Sequence, residues 1–219
     1  MRRTWIEGGD VGIGWFALDN TCRVEESLIH SKIGIGVIYP SLNMKPYRSA
    51  ELLIKDSSLV TDEVLDLLLT RTPDQPIAVT FQNCVLDSKH AASLWMTPIF
   101  ALEISTSAGF VDSFVRSVRW RDSECVFAEG MDYLVARRIR TPYRKYSAEI
   151  HSLRTWTDRC SEAVKEVEPG ESLPSIECKI ESKLPTAEDR SLWERGSPLH
   201  RFLPELPGSW RERGWQPGL

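Results

Sequence analysis

The densest set of residues that could bind a ligand is basic. Five cations fall within nine residues, with Tyr143 and Tyr146 interleaved: Arg137, Arg138, Arg140, Arg144 and Lys145. A second group surrounds Trp120: Arg116, Arg119 and Arg121. A guanidinium group binds phosphate oxygens as a planar fork and stacks on aromatic rings, so both groups predict an anion-binding surface for RNA phosphates or lipid headgroups. The alternative interpretation is a solvated surface that acids elsewhere in the chain neutralise.

Bulk composition limits how such a surface can work. The chain has 219 residues and a net charge of -4, so it cannot coat a nucleic acid through overall charge, and any anion site must be local. The cysteines are widely spaced and form neither a C-x-x-C pair nor a zinc pattern, which predicts free thiols in a reducing compartment. We find no signal-peptide pattern and no apolar run near the ~20 residues that span a bilayer. We therefore expect a soluble or peripheral cytoplasmic protein without a bound metal or cofactor.

The glycine-rich segment 8–14 (GGDVGIG) is a second place where chemistry could reside. A dinucleotide-binding loop follows a strand and opens a helix, whereas here a strand follows, so a tight turn is the simpler interpretation. Asp10 lies in this segment. In an RNase H-like nuclease an early acid of this kind would bind magnesium together with later acids. Asp19 is the alternative to Asp10 as the early acid, and the candidates for the later acids are Glu103, Asp112 and Asp132.

Hydrophobic patterning predicts the elements that would position these residues. Alternation predicts strands at 11–18, 32–39, 77–82 and 99–104, and two short strands around Gly130. Capping residues and apolar spacing predict helices at 61–70, 87–95 and 147–167, while 110–120 fits either element. No internal repeat is evident. Because strands and single helices do not alternate regularly, we expect an α+β fold with a mostly antiparallel sheet and a few helices.

The composition changes near residue 168, where proline becomes frequent. This change predicts a globular domain at 1–168 and a proline-rich C-terminal tail at 169–219, with a short helix near 187–195. Four large apolar residues of the tail are spaced so that an extended segment could place them in a partner's groove: Leu203, Leu206, Trp210 and Trp215. The alternative is that they fold back onto the domain.

In character, this combination resembles the matrix and accessory proteins of RNA viruses: many tryptophans, no catalytic motif, an arginine patch and a proline-rich terminal segment. Neither a P-P-x-Y nor a P-S/T-A-P motif is present. The resemblance implies a non-enzymatic binding or assembly protein that contacts RNA or an anionic membrane and protein partners, and a homo-oligomer stays open. The alternative is a metal-dependent hydrolase or nuclease that uses Asp10. A protein-binding adaptor is a third interpretation, and it predicts that the arginines pair with acids.

Overall fold

The computed structural model describes residues 1–39, 49–70, 73, 75–96, 107–138, 146–163, 174–180, 188 and 191. Most of these residues lie in strands. The strands are β1 (Trp5–Glu7), β2 (Val11–Phe16), β3 (Thr21–Glu25), β4 (Leu28–Tyr39), β5 (Glu51–Lys55), β6 (Ser58–Leu69), β7 (Ile77–Gln82), β8 (Val85–Met96), β9 (Val118–Ser123), β10 (Val126–Ala128), β11 (Asp132–Arg138), β12 (Tyr146–Ile150) and β13 (Ile176–Cys178). The helices are α1 (Ser107–Ser117) and α2 (Leu153–Ala163). Neither described helix has the length and apolar character needed to cross a membrane.

The strands form two sheets in which nearly all pairs are parallel. In the first sheet the order is β3-β5-β7-β9. In the second sheet the order is β1-β4-β6-β8-β10-β13, with β2 beside β4 and β11 beside β8. Among the described strands, only the pairing of β12 with β11 is antiparallel. The expectation of a mostly antiparallel α+β fold is therefore wrong.

The chain winds between the sheets in successive coils. Each strand of the first sheet continues through a two-residue corner into the second sheet, and equivalent positions stack: Leu28 pairs with Ser58, Ser58 with Val85, and Val85 with Val126. We call this arrangement a parallel β-solenoid. Its coils are β1 to β2, β3 to β4, β5 to β6, β7 to β8, and β9 to β11.

A recurrent pair of residues makes each corner. The first residue has a left-handed backbone, with φ values of 48° to 55° at Glu26, Asp56, Asn83 and Glu124. The second residue is small, and it is Ser27, Ser57, Cys84 or Cys125. The Ser27 backbone N–H donates to Ser57 Oγ at 3.1 Å, so neighbouring corners bond directly. The chain thus contains a structural repeat, which unequal loops hide in the sequence.

The Leu-rich segment predicted as a helix at 61–70 belongs to strand β6. Leu65, Leu67 and Leu69 are buried in the core, and the intervening Asp66 and Leu68 are less buried. Backbone pairing on both sides, with β4 and with β8, holds the segment extended. The segment predicted as a helix at 87–95 is likewise strand β8. Tertiary pairing has overridden helix propensity in both places.

Other predicted elements are present. Strands β2, β4 and β7 lie within or across the predicted ranges 11–18, 32–39 and 77–82, and β10 and β11 flank Gly130. The ambiguous segment 110–120 divides, since α1 ends at Ser117 and β9 begins at Val118. The strand predicted at 99–104 lies outside the described residues.

Helix α2 packs against the last full coil of the solenoid. Its Trp156 is only 1% exposed, and its ring centroid lies 5.0 Å from that of Trp120, 5.4 Å from Phe114 and 6.3 Å from Tyr133. The helix predicted at 147–167 is thus confirmed at 153–163, whereas residues 147–150 belong to strand β12 and residues 164–167 lie outside the described part of the chain. The helix covers apolar side chains that stacking alone would leave open at the end of the solenoid.

One segment of the predicted tail joins the second sheet. Strand β13 pairs in parallel with β10, and Ser175 Oγ accepts a hydrogen bond from the Cys125 backbone at 3.2 Å. The Tyr133 hydroxyl donates to Glu177 at 2.9 Å. The domain boundary at 168 stays a prediction. Within the range predicted as a short helix at 187–195, the structure describes only Glu188 and Ser191, and both are helical.

Candidate functional site

Three of the predicted anion-binding arginines lie together where α1 meets β9. Side chains alternate along β9, so Val118 and Trp120 point into the core while Arg119 and Arg121 point outward into solvent. Arg116 is exposed in the last turn of α1. We call Arg116, Arg119 and Arg121 the arginine row.

The described surroundings of the arginine row contain no ion-pair partner for it. On the neighbouring strand β7, Arg119 stands opposite Ala78 and Arg121 opposite Thr80, both uncharged. Within the described part of the chain, no acid comes within ion-pair distance of any of the three arginines. The row is therefore a local cationic surface on an acidic protein.

Trp120, which the sequence places among these arginines, is not a surface ring. It is 2% exposed, its centroid lies 4.7 Å from that of Phe81, and its indole N–H donates to Asp122 Oδ2 at 2.7 Å. The arginine row consequently offers guanidinium groups without this aromatic platform.

Arg137 of the first basic group has a different environment. Its side chain is 11% exposed, it forms an ion pair with Glu63, and its Cζ lies 5.1 Å from the centre of the Trp95 ring. This pairing with an acid is what the adaptor interpretation predicts for the arginines. For Arg138 only the backbone is described, and it continues β11. The remaining predicted binding residues lie outside the described part of the chain and stay predictions: Arg140, Arg144, Lys145, Leu203, Leu206, Trp210 and Trp215.

Sequence reasoning missed a polar cleft on the outer surface of the second sheet. Its volume is about 520 Å³. Register places Glu63, His90 and Asp132 side by side on β6, β8 and β11. The full lining is Lys32, Ile33, Asp62, Glu63, Lys89, His90, Trp95, Asp132, Val135, Arg137 and Ala148.

Glu63 is the most enclosed charged group in this polar cleft. Its side chain is 4% exposed. One carboxylate oxygen meets the Arg137 guanidinium, and the other accepts a hydrogen bond from the Ser93 hydroxyl at 2.8 Å. Every charge-bearing oxygen of Glu63 thus has a partner, which a buried carboxylate requires.

Nearby acids differ in their environments. Burial, and secondarily the adjacent Glu63 charge, raise the pKa of Asp66 to about 7, while Arg137 and the Trp95 indole oppose the rise. Asp132 Oδ1 lies 2.8 Å from His151 Nδ1, and its Oδ2 lies 3.7 Å from His90 Nδ1. At the rim, Lys89 Nζ lies 2.7 Å from Asp62. The carboxylates therefore divide into those with a basic partner and Asp66, whose pKa is raised by burial.

The polar cleft escaped prediction because its residues are far apart in the sequence. Glu63, His90 and Asp132 come from three coils, and no short motif links them. One signal was present: Glu63 and Asp66 interrupt an apolar Leu-rich run, which was predicted to be a helix.

The acids proposed for a metal-dependent nuclease are separated in the structure. Asp10 is exposed in the turn between β1 and β2, Asp112 is exposed on α1, Asp132 lies in the polar cleft, and Glu103 is outside the described residues. In the described part of the chain, no group of three or more histidine, cysteine or acidic side chains is arranged to hold a metal ion. All five cysteines are free thiols.

The glycine segment has a structural explanation. Gly8 and Gly9 have φ values of 80° and 87°, which form the turn between β1 and β2. At Gly12 a Cβ atom would lie 2.9 Å from the Gly34 carbonyl oxygen, so no side chain fits there.

Comparison with family models, curated proteins and solved structures finds no match to this chain. The functional argument therefore rests on its own residues.

Proposed function

We propose that this protein is a non-enzymatic binding protein that contacts the phosphate backbone of RNA through the arginine row. The observation that carries the proposal is that, among the described residues, no acid forms an ion pair with Arg116, Arg119 or Arg121, and that the strand next to Arg119 and Arg121 is uncharged. On one face of a strand, side chains two residues apart are about 7 Å apart, so Arg119 and Arg121 can engage separate phosphates. Guanidinium groups suit this task because each presents two N–H donors to phosphate oxygens.

The surface around the row favours RNA over a membrane. Peripheral membrane binding combines cationic groups with apolar side chains that enter the interface. Among the described residues, the exposed large apolar side chains are Met1, Val11 and Phe16, all in the first coil and its leading residues. Arg119 and Arg121 lie on β9, the fourth strand of the first sheet, which is three strands away from β3, the strand of this sheet next to that coil.

The same surface predicts the type of RNA contact. With Trp120 in the core, the row has no described ring on which a base could stack. Contacts restricted to phosphates carry no sequence information, so binding should be independent of sequence.

The test is binding of a single-stranded RNA, measured by fluorescence anisotropy across a salt series. The variant carries Arg116→Gln, Arg119→Gln and Arg121→Gln. If each arginine contacts one phosphate, the slope of log affinity against log salt should decrease by about 2 in magnitude. Thermal stability should change little, because exposed charges contribute little to folding.

The matched control removes three cations from the other end of the solenoid: Arg2→Gln, Arg3→Gln and Arg23→Gln. Both variants have the same net charge, so the control should keep the wild-type slope if the row is the binding surface. Equal slopes in the wild type and the row variant would refute the proposal. If the protein binds anionic liposomes but not RNA, and the row variant loses that binding, the partner of the arginine row is a membrane and not RNA.

A further inference from the structure

The polar cleft is a site separate from the arginine row. It lies on the second sheet, where Glu63, His90 and Asp132 are neighbours on the strands of three successive coils. Strand β12 forms one wall of the cleft through Ala148. Its volume of about 520 Å³ falls in the range of pockets that take small organic ligands.

Stability alone does not account for the ion pair at its base. Removing Glu63 and Arg137 from water costs free energy that their mutual attraction only partly returns. Side chains of similar volume but without charge would often be at least as stabilising at such a position. The pair nevertheless lines the cleft, with Arg137 held against Trp95.

The charges of the cleft compensate one another. Its lining has three cations and three carboxylates: Lys32, Lys89, Arg137, Asp62, Glu63 and Asp132. Most are already paired, since Lys89 lies 2.7 Å from Asp62, Arg137 contacts Glu63, and His151 lies 2.8 Å from Asp132. An anionic ligand would meet three carboxylates and a cationic ligand three cations. The charged groups of a zwitterion would compete with the internal partners in the Lys89–Asp62 and Arg137–Glu63 pairs.

A neutral ligand with several hydroxyl groups avoids these costs. Each hydroxyl both donates and accepts, so it can bond to a carboxylate oxygen and to a neighbouring ammonium or guanidinium N–H without disturbing the pair. Trp95, Val135 and Ile33 add apolar surface for the carbon skeleton. We propose that the polar cleft binds a neutral polyhydroxylated ligand of the sugar class, a mono- or disaccharide unit.

The test is saturation-transfer NMR with four neutral sugars as probes: glucose, galactose, mannose and maltose. Glucuronate serves as the anionic probe and proline as the zwitterion. The wild-type protein should transfer saturation to at least one neutral sugar and less to glucuronate and proline. A preference for either of the last two would overturn the neutral ligand class, and absence of transfer to all four sugars would overturn the site.

The blocking variant is Ala148→Phe. It adds a ring to the wall of the cleft without removing any polar contact, and an aromatic residue suits a strand. It should weaken sugar binding by more than about tenfold. The matched control is Ala78→Phe, the same change on the outer face of β7, which should bind as the wild type does. Equal binding by Ala148→Phe and the wild type would refute the assignment.

A second variant keeps the test decisive if Ala148→Phe does not fold. Asp62→Asn alters a half-exposed acceptor at the rim and should also weaken binding; unchanged binding would overturn the assignment. The arginine-row variant should retain sugar binding in full. The RNA proposal and the sugar proposal can therefore fail independently.

Discussion

Replacing Trp156 with alanine should remove most of the contact between helix α2 and the solenoid. The indole is 1% exposed and packs on Phe114, Trp120 and Tyr133. A buried aromatic side chain removes about 150–250 Å² from water, which at about 25 cal/mol per Å² corresponds to about 4–6 kcal/mol. Truncation leaves a cavity at the end of the coils. We therefore expect the free energy of unfolding to fall by about 3–5 kcal/mol, the range measured for such changes.

The measurement is the free energy of unfolding from urea denaturation followed by far-ultraviolet circular dichroism, because the variant loses one of the eight tryptophans and its fluorescence would change for that reason alone. Arg154→Ala is the control, since it changes the exposed face of the same helix and should cost less than about 0.5 kcal/mol. Trp156→Phe keeps one ring and should lie between the two. A loss below about 1 kcal/mol for Trp156→Ala would show that α2 does not cover the core as its contacts indicate.

Three further predictions concern the polar cleft, the corners and strand β13. Burial raises the pKa of Asp66 from 3.8 to about 7, so the folded state binds this proton more tightly than the unfolded state does. The stability of the protein should therefore fall as the pH rises from about 4 to about 7. Urea midpoints measured across this range should show a smaller fall for Asp66→Asn than for the wild type. Asp56→Pro should lower the stability measured by thermal unfolding by about 3 kcal/mol or more, because proline cannot adopt a φ of 49° and cannot donate the hydrogen bond that the Asp56 N–H makes to the Gln82 carbonyl. Asp56→Gly should be tolerated, because glycine adopts this φ readily. A chain that ends at residue 173 should melt at a lower temperature than one that ends at residue 180, because Ile176 and Ile180 pack on the apolar pair Val85 and Val126; equal melting temperatures would remove β13 from the stable sheet.

Local patterns in the sequence predicted the elements in which one face is clearly buried. Residues 77–82 alternate strictly, and they form β7. The Leu-rich run 61–70 was assigned to a helix because its leucines are adjacent as well as alternate. In the structure Val64 and Leu65 are both buried, next to Glu63, where the long strand changes which side chains face the core. A run with buried neighbours on both sides does not distinguish a central strand from a helix.

Pairing between strands could not be predicted from these patterns. Each strand pairs with its equivalent in the next coil, and the corners that set this register are only two residues long. Glu26-Ser27, Asp56-Ser57, Asn83-Cys84 and Glu124-Cys125 share a geometry rather than a sequence. An acid or asparagine followed by serine or cysteine is too common to identify a repeat when the intervening loops differ in length.

The two candidate sites show how coil position decides the role of a charged residue. Arg121 and Arg137 both lie on strands of the same coil and both come from arginine-rich segments. Arg121 faces outward beside Thr80, so its charge stays available to a partner. Arg137 pairs in register with Trp95 and reaches Glu63, so its charge is neutralised within the protein. Which acids lie within reach in the nearby coils therefore decides whether a guanidinium stays available to an anionic partner, and the number of arginines in a segment does not.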